Sequence, residues 1–149
     1  MNTAEETSII QCPGCSLKLP NKAAVVDERF NASGECRQLY GELSGYTLSI
    51  NNINFIHQHA ADTYAAQHSG EKTRTITTAF ALIGLYLALE KGYTGKQVQQ
   101  AHMKLAKISK SWPRLEPPKQ TGVLTVLDVL QAKTDVEKEE MLMKWANSI

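Results

Sequence analysis

The sequence predicts a mainly α fold: one small helical domain of about five to six helices, with an irregular N-terminal segment tied down by zinc. Three observations predict it. Apolar residues recur at helical spacing in successive stretches from Cys36 to Ile108. Start and stop signals fall between those stretches. Ahead of them, Cys12-Pro13-Gly14-Cys15 stands in a segment without helical period, and a third cysteine, Cys36, follows.

Residues 1–10 are expected to be a loose terminus, with Ile9, Ile10 and Gln11 leading into the knuckle as a short extended piece. In the knuckle Gly14 is expected to take a turn that other residues resist. Residues 16–32 hold Pro20, Asn21, Asp27 and Asn31 and predict a loop that returns towards the knuckle. The first helix is expected from Ser33, with Cys36, Leu39, Tyr40 and Leu43 on its inner face and Gly45 at its end. Asn51 or Asn52 can cap the second. Its stripes are Ile53, Ile56, Ala60, Tyr64 and Gln67, and beside them His57, Ala61, Tyr64 and His68, with Ser69-Gly70 as the stop.

The third helix is expected over Arg74 to Lys91. Ile76, Phe80, Ile83 and Leu87 line one side and Leu82, Leu85 and Leu89 much of the rest, the pattern of a central helix. Gly84 inside it marks close approach of another helix. Gly92 ends it, and Thr94 caps a fourth whose inner face is Val98, Ala101, Leu105 and Ile108. After a loop with Pro113, Pro117 and Pro118, Thr125 with Asp128 and Thr134 with Glu137 are capping-box patterns for two short helices. Leu142 and Trp145 would dock the last one. No internal repeat and no sheet are expected.

The chain of 149 residues has the size of one domain, 1–149, with room for an apolar core. A formal net charge of +1 points neither to nor away from nucleic acid. Met1 to Ser8 is acidic and polar, unlike a secretory leader. The longest apolar run, Ala79 to Leu89, is short of the ~20 residues of a membrane helix. A cytoplasmic location follows as the expectation, with no membrane partner. Reduced thiols there favour metal or redox chemistry over a disulfide framework.

Two thiols separated by Pro-Gly can face one point, which is half a tetrahedral zinc site. A redox reading of the same motif needs a strand–helix–strand setting that is absent around it, so metal is favoured. Cys36 in a first helical turn suits a thiolate, because the helix dipole favours negative charge there. On an apolar face it could instead be a small buried hydrophobe, but the ligand reading is preferred because a third thiolate is what the knuckle lacks.

Of His57, His59, His68 and His102, we take His57, one turn into the second helix, as the fourth ligand. Spacing leaves His68 or another group open. His68 is about 16 Å from His57 along a helix axis, so one ion cannot bind both. His59 points elsewhere. His68 and His102 fit core or boundary positions. Asp62 or Glu42 could orient a ligating imidazole, or be a plain surface charge.

Between Lys91 and Gln120 there are seven Lys or Arg against one acid, Glu116. Without a recognition-helix pattern this predicts a solvated face, and nucleic acid is disfavoured as partner. A protein partner is compatible with the sequence.

Several motifs together resemble an uncharacterised bacterial domain family, a domain of unknown function. They are Cys12-Pro13-Gly14-Cys15, Ala32-Ser33-Gly34-Glu35-Cys36 with Leu39-Tyr40-Gly41-Glu42, and His57 with Asp62-x-Tyr64-Ala65-Ala66-Gln67-His68. Further along come Ile83-Gly84-Leu85, Leu89-Glu90-Lys91-Gly92, Leu115-Glu116-Pro117-Pro118 and Leu124-Thr125-Val126. The resemblance implies a small helical domain that binds metal through its cysteines and a histidine, with no activity attached. It also implies a histidine in the central helix, where this chain has Ala81.

The expectation is therefore zinc held by Cys12, Cys15, Cys36 and His57 in a structural site, within a scaffold or interaction module. Two alternatives accompany it: a metal-dependent hydrolase-like enzyme with an open zinc position, and a CxxC thiol redox protein.

Overall fold

The computed structural model describes residues 8–109, 111–117 and 122–149. Among these the order is β1 (Ile9–Gln11), β2 (Lys18–Pro20), α1 (Gly34–Ser49), α2 (His57–Gln67), α3 (Thr75–Lys91), α4 (Gly95–Ile108), α5 (Val126–Gln131) and α6 (Asp135–Ser148). The fold is mainly α, as predicted. No described helix is long and apolar enough to cross a membrane.

The N-terminal segment is more regular than its sequence suggests. β1 and β2 pair antiparallel, Ile10 opposite Leu19, and the knuckle is the connection between them. Strands of three residues are too short to show alternation in the sequence. Of the loose terminus expected over 1–10, residues 1–7 lie outside the described residues, while Ile9 and Ile10 belong to β1.

The helix starts follow local capping chemistry. Ser33 Oγ accepts from Cys36 N at 3.1 Å and starts α1. Thr94 with Gln97, and Thr125 with Asp128, form reciprocal capping boxes. Thr134 accepts from Glu137 N at 3.1 Å. Gly92, left-handed at φ 69°, ends α3.

The join between α1 and α2 differs from expectation. Gly45 does not end α1, because its site is open and a glycine there does not stop the helix. The chain turns at Asn51, whose φ is 53°. Neither asparagine caps α2: Ile56 precedes it without a side-chain bond, and Asn52 Oδ1 accepts from Asn54 N at 2.9 Å within the link. Ile53, expected on the inner stripe, is exposed.

The central helix is α2, not α3. It packs against α1, α3, α4 and α6. Several of its buried polar groups are bonded, while His59 Nδ1 and Asp62 Oδ2 have no hydrogen-bond partner among the described residues. Gln67 Nε2 donates to Leu124 O at 2.8 Å, Trp145 Nε1 donates to Gln67 Oε1 at 3.0 Å, and Thr63 Oγ1 donates to His59 O at 2.7 Å. α3 turns its small residues inward. Ala81 sits in an apolar cluster with Ala66, Leu85 and Ala146, while Tyr86 is exposed. Gly84 is the close approach its sequence predicts: a Cβ there would fall on Asp62 Oδ2 of α2 and lie 3.2 Å from Val98 Cγ1 of α4.

Candidate metal centre

Cys12, Cys15 and Cys36 belong to the main core, together with Leu43, Tyr64, Val126, Leu142 and Trp145. The hairpin brings the first two together. Cys12 N donates to Leu17 O and Ser16 N donates to Cys12 O, each at 2.8 Å, and Ser16 takes the left-handed turn at φ 68°. Gly14 does not take that turn. Its role is spatial: a Cβ would strike Asn31 O and come within 2.6 Å of His68 Cδ2.

Cys36 arrives from the first turn of α1. That turn is held to the preceding loop by Glu35, whose Oε2 accepts from Lys22 N at 2.9 Å and Ala24 N at 3.1 Å. These backbone donors, Ala24 first, lower the Glu35 pKa. Asn31 N donates to His68 O at 2.6 Å and brings the end of α2 against the knuckle.

The fourth member of this group is His68, not His57. The ligand atoms of Cys12, Cys15, Cys36 and His68 all lie within 4.8 Å of one another, and all four residues are buried. Cys15 Sγ is 3.8 Å from Cys36 Sγ, and Cys36 Sγ is 3.6 Å from His68 Nε2.

The reason is the register of the α1–α2 hairpin. Thr47 meets His57, 2.9 Å apart; seven residues earlier on α1 and seven later on α2, Tyr40 stacks on Tyr64, with centroids 4.1 Å apart. Four further each way, Cys36 meets His68. In an antiparallel pair the start of one helix faces the end of the other. His57 is thus at the link, bonded to Thr47, and its pKa is lowered by desolvation.

The other candidates lie apart from this centre. His102 pairs Nε2 with Phe80 O at 2.8 Å and Nδ1 with Gln58 Nε2 at 3.5 Å. His59 is buried. Asp62 Oδ1 accepts from Gln58 Nε2 at 3.1 Å, and Glu42 is exposed. His68 is oriented by a carbonyl instead of a carboxylate: Nδ1 lies 2.9 Å from Tyr64 O. A proton on Nδ1 donated to that carbonyl leaves the Nε2 lone pair facing the sulfurs, the tautomer a metal ligand needs. Tyr64 also donates its hydroxyl to Cys36 Sγ at 3.6 Å and stacks on the His68 ring at 4.0 Å.

The three thiols lie close enough to shift one another's titration. Hydrogen bonds, first from Cys15 and then from Cys36, draw the Cys12 pKa far down. Holding a proton against Cys12 pushes Cys15 up to about 12 and raises Cys36 as well. Binding a divalent ion would displace thiol protons.

These features define a class: a helical domain whose N-terminal hairpin, first helix and central helix converge on a buried three-cysteine, one-histidine cluster able to hold a metal ion. Within that class the chain belongs to the Family of unknown function DUF5946, whose model matches residues 10–149. No curated protein and no solved structure matches it.

Proposed function

We propose that the cluster is a structural zinc centre and that the domain serves as a scaffold or interaction module for a protein partner. The observation that carries this reading is the size of the cluster. Tetrahedral zinc with sulfur at about 2.3 Å and nitrogen at about 2.0–2.1 Å requires sulfur–sulfur edges of about 3.8 Å and sulfur–nitrogen edges of about 3.6 Å. One edge of each kind matches, Cys15–Cys36 at 3.8 Å and Cys36–His68 at 3.6 Å, and all four ligand atoms lie within 4.8 Å of one another. Thiolates with one imidazole favour zinc over the hard cations.

Four protein ligands make a closed set, which favours a structural role over a site that keeps a water. Zinc here would join the hairpin, α1 and α2. Cys12 and Cys15 would supply the knuckle ligands, Cys36 the thiolate from α1, and His68 the imidazole from α2.

Protein purified without an affinity tag or added nickel should contain about one zinc per chain by elemental analysis. A chelator should lower its melting temperature, since binding to the native state adds to folding free energy. Folded, metal-free protein that ignores the chelator would overturn the reading. A Cys12–Cys15 disulfide cycling reversibly in such protein would replace it with thiol redox chemistry.

A further inference from the structure

A second feature lies at the outer end of the aromatic stack that backs His68. Arg29, Phe30, Arg37, Tyr40, Arg74 and Thr77 line an open cleft of about 310 Å³. That volume is at the small end of ligand sites. The three arginines come from separate segments: the loop after β2, α1, and the residue preceding α3.

One carboxylate answers them. Asp27 Oδ2 is 2.8 Å from Arg29 Nη2 and 3.9 Å from Arg37 Nε. Arg37 Nε is cut off from solvent and has no hydrogen-bond partner among the described residues. The Arg37 guanidinium is held in place over Tyr40 and Phe30, 5.2 and 5.7 Å from their centroids. Three guanidinium groups against one carboxylate leave the cleft an excess of positive charge.

The first turn of α3 forms one wall. It has no acidic residue and no side-chain cap. The N–H groups of Thr75 and Ile76 therefore lack an intrahelical acceptor, and the dipole favours an anion beside them. A carboxylate brings one charge and two oxygens. Asp27 already takes the Arg29 fork, through Nε and Nη2 at 3.0 and 2.8 Å. A phosphoryl group brings close to two charges and three acceptor oxygens, which better suits the two remaining guanidinium groups, of Arg37 and Arg74, and a helix end.

We propose that this cleft binds a phosphoryl group. Arg37 and Arg74 donate to its oxygens, and the first turn of α3 completes the coordination. This site does not depend on the zinc reading, because none of its groups belongs to the metal centre.

The test is a titration of the isotope-labelled full chain with inorganic phosphate near neutral pH, with ionic strength held constant by chloride. Amide signals of Thr75 and Ile76 and the arginine Nε signals should shift saturably. Arg74→Gln, at an exposed position, and Arg37→Gln should each weaken binding by about tenfold or more. Lys104→Gln, on the exposed face of α4, should leave it unchanged. Arg37 packs on two rings, so Arg74→Gln carries the result if Arg37→Gln unfolds.

Phenyl phosphate separates two sources of the same chemistry. Tighter binding than inorganic phosphate assigns the cleft to a phosphoryl group carried on an organic ligand, and equal binding to phosphate itself. Shifts that fail to saturate, that chloride reproduces, or that survive Arg74→Gln unchanged would overturn the proposal.

Discussion

His68 Nδ1 lies 2.9 Å from the carbonyl of Tyr64, one helical turn before it, and its Nε2 faces Cys36 Sγ at 3.6 Å. One short backbone contact thus sets which ring nitrogen confronts the thiols. Because His68 closes α2 and Cys36 lies in the first turn of α1, the approach of Nε2 to Sγ also sets the end of the central helix against the start of α1.

The first prediction concerns the identity of the ligands. His68→Ala and Cys36→Ala should each reduce zinc affinity by a hundredfold or more, on the order of 3 kcal/mol, since each leaves three ligands. His57→Ala removes only a bond to Thr47 at the helix link and should keep the zinc. Competition with a chromophoric chelator measures all three. Loss of metal in His57→Ala with retention in His68→Ala would contradict the antiparallel register.

Tyr64→Phe keeps the ring between Tyr40 and His68 and deletes the hydroxyl that donates to Cys36. Zinc should remain bound with affinity lowered about tenfold, the scale of an outer-shell partner. The fold should hold, as judged by near-ultraviolet circular dichroism.

Gly14→Ala should be far more harmful than its size suggests. The added methyl meets Asn31 O and the His68 ring, both fixed by the Asn31–His68 backbone bond. A cost of about 2 kcal/mol or more is expected in denaturant unfolding, with weaker zinc binding alongside.

Asp62 should make the protein less stable as pH rises. Burial holds its carboxyl well above the ordinary 3.8. The folded chain therefore keeps this proton where the unfolded chain has lost it. Stability from this group is fully present below the unfolded pKa and is lost as pH rises towards the folded one. Asp62→Asn, which keeps an acceptor for Gln58, should remove that slope. Unfolding free energies of both proteins at about pH 5 and about pH 8 give the comparison, and equal slopes would show that Asp62 does not titrate in this way.

Gly84→Ala tests the α2–α3 contact. Its methyl would occupy the place of Asp62 Oδ2, so a loss of about 1–3 kcal/mol is expected. In a double-mutant cycle Asp62→Ala should relieve part of that loss, whereas additive effects would place the strain elsewhere.

Much of the architecture was legible from local chemistry. Ser33, Thr94, Thr125 and Thr134 start helices and Gly92 ends one, because caps and left-handed turns are settled within a few residues of chain. The grouping of Cys12 and Cys15 was legible for the same reason, and Gly84 announced a close helix contact. Gly45 misled, since a glycine stops a helix only where the chain also turns. The strands of the hairpin were too short to signal themselves.

What tertiary structure alone decided is the partner of the three cysteines and the helix at the centre. His57 and His68 share a stripe on α2, and no local signal separates them. The choice falls to the register of α1 against α2, set by Tyr40 stacking on Tyr64 and by the Asn31 backbone bond to His68. The central place likewise goes to polar α2 over apolar α3. Bonds with Leu124 and Trp145 satisfy the buried Gln67 side chain, and those partners lie far off in sequence. Contacts between distant segments depend on how whole helices pack, and that packing is absent from any short window of sequence.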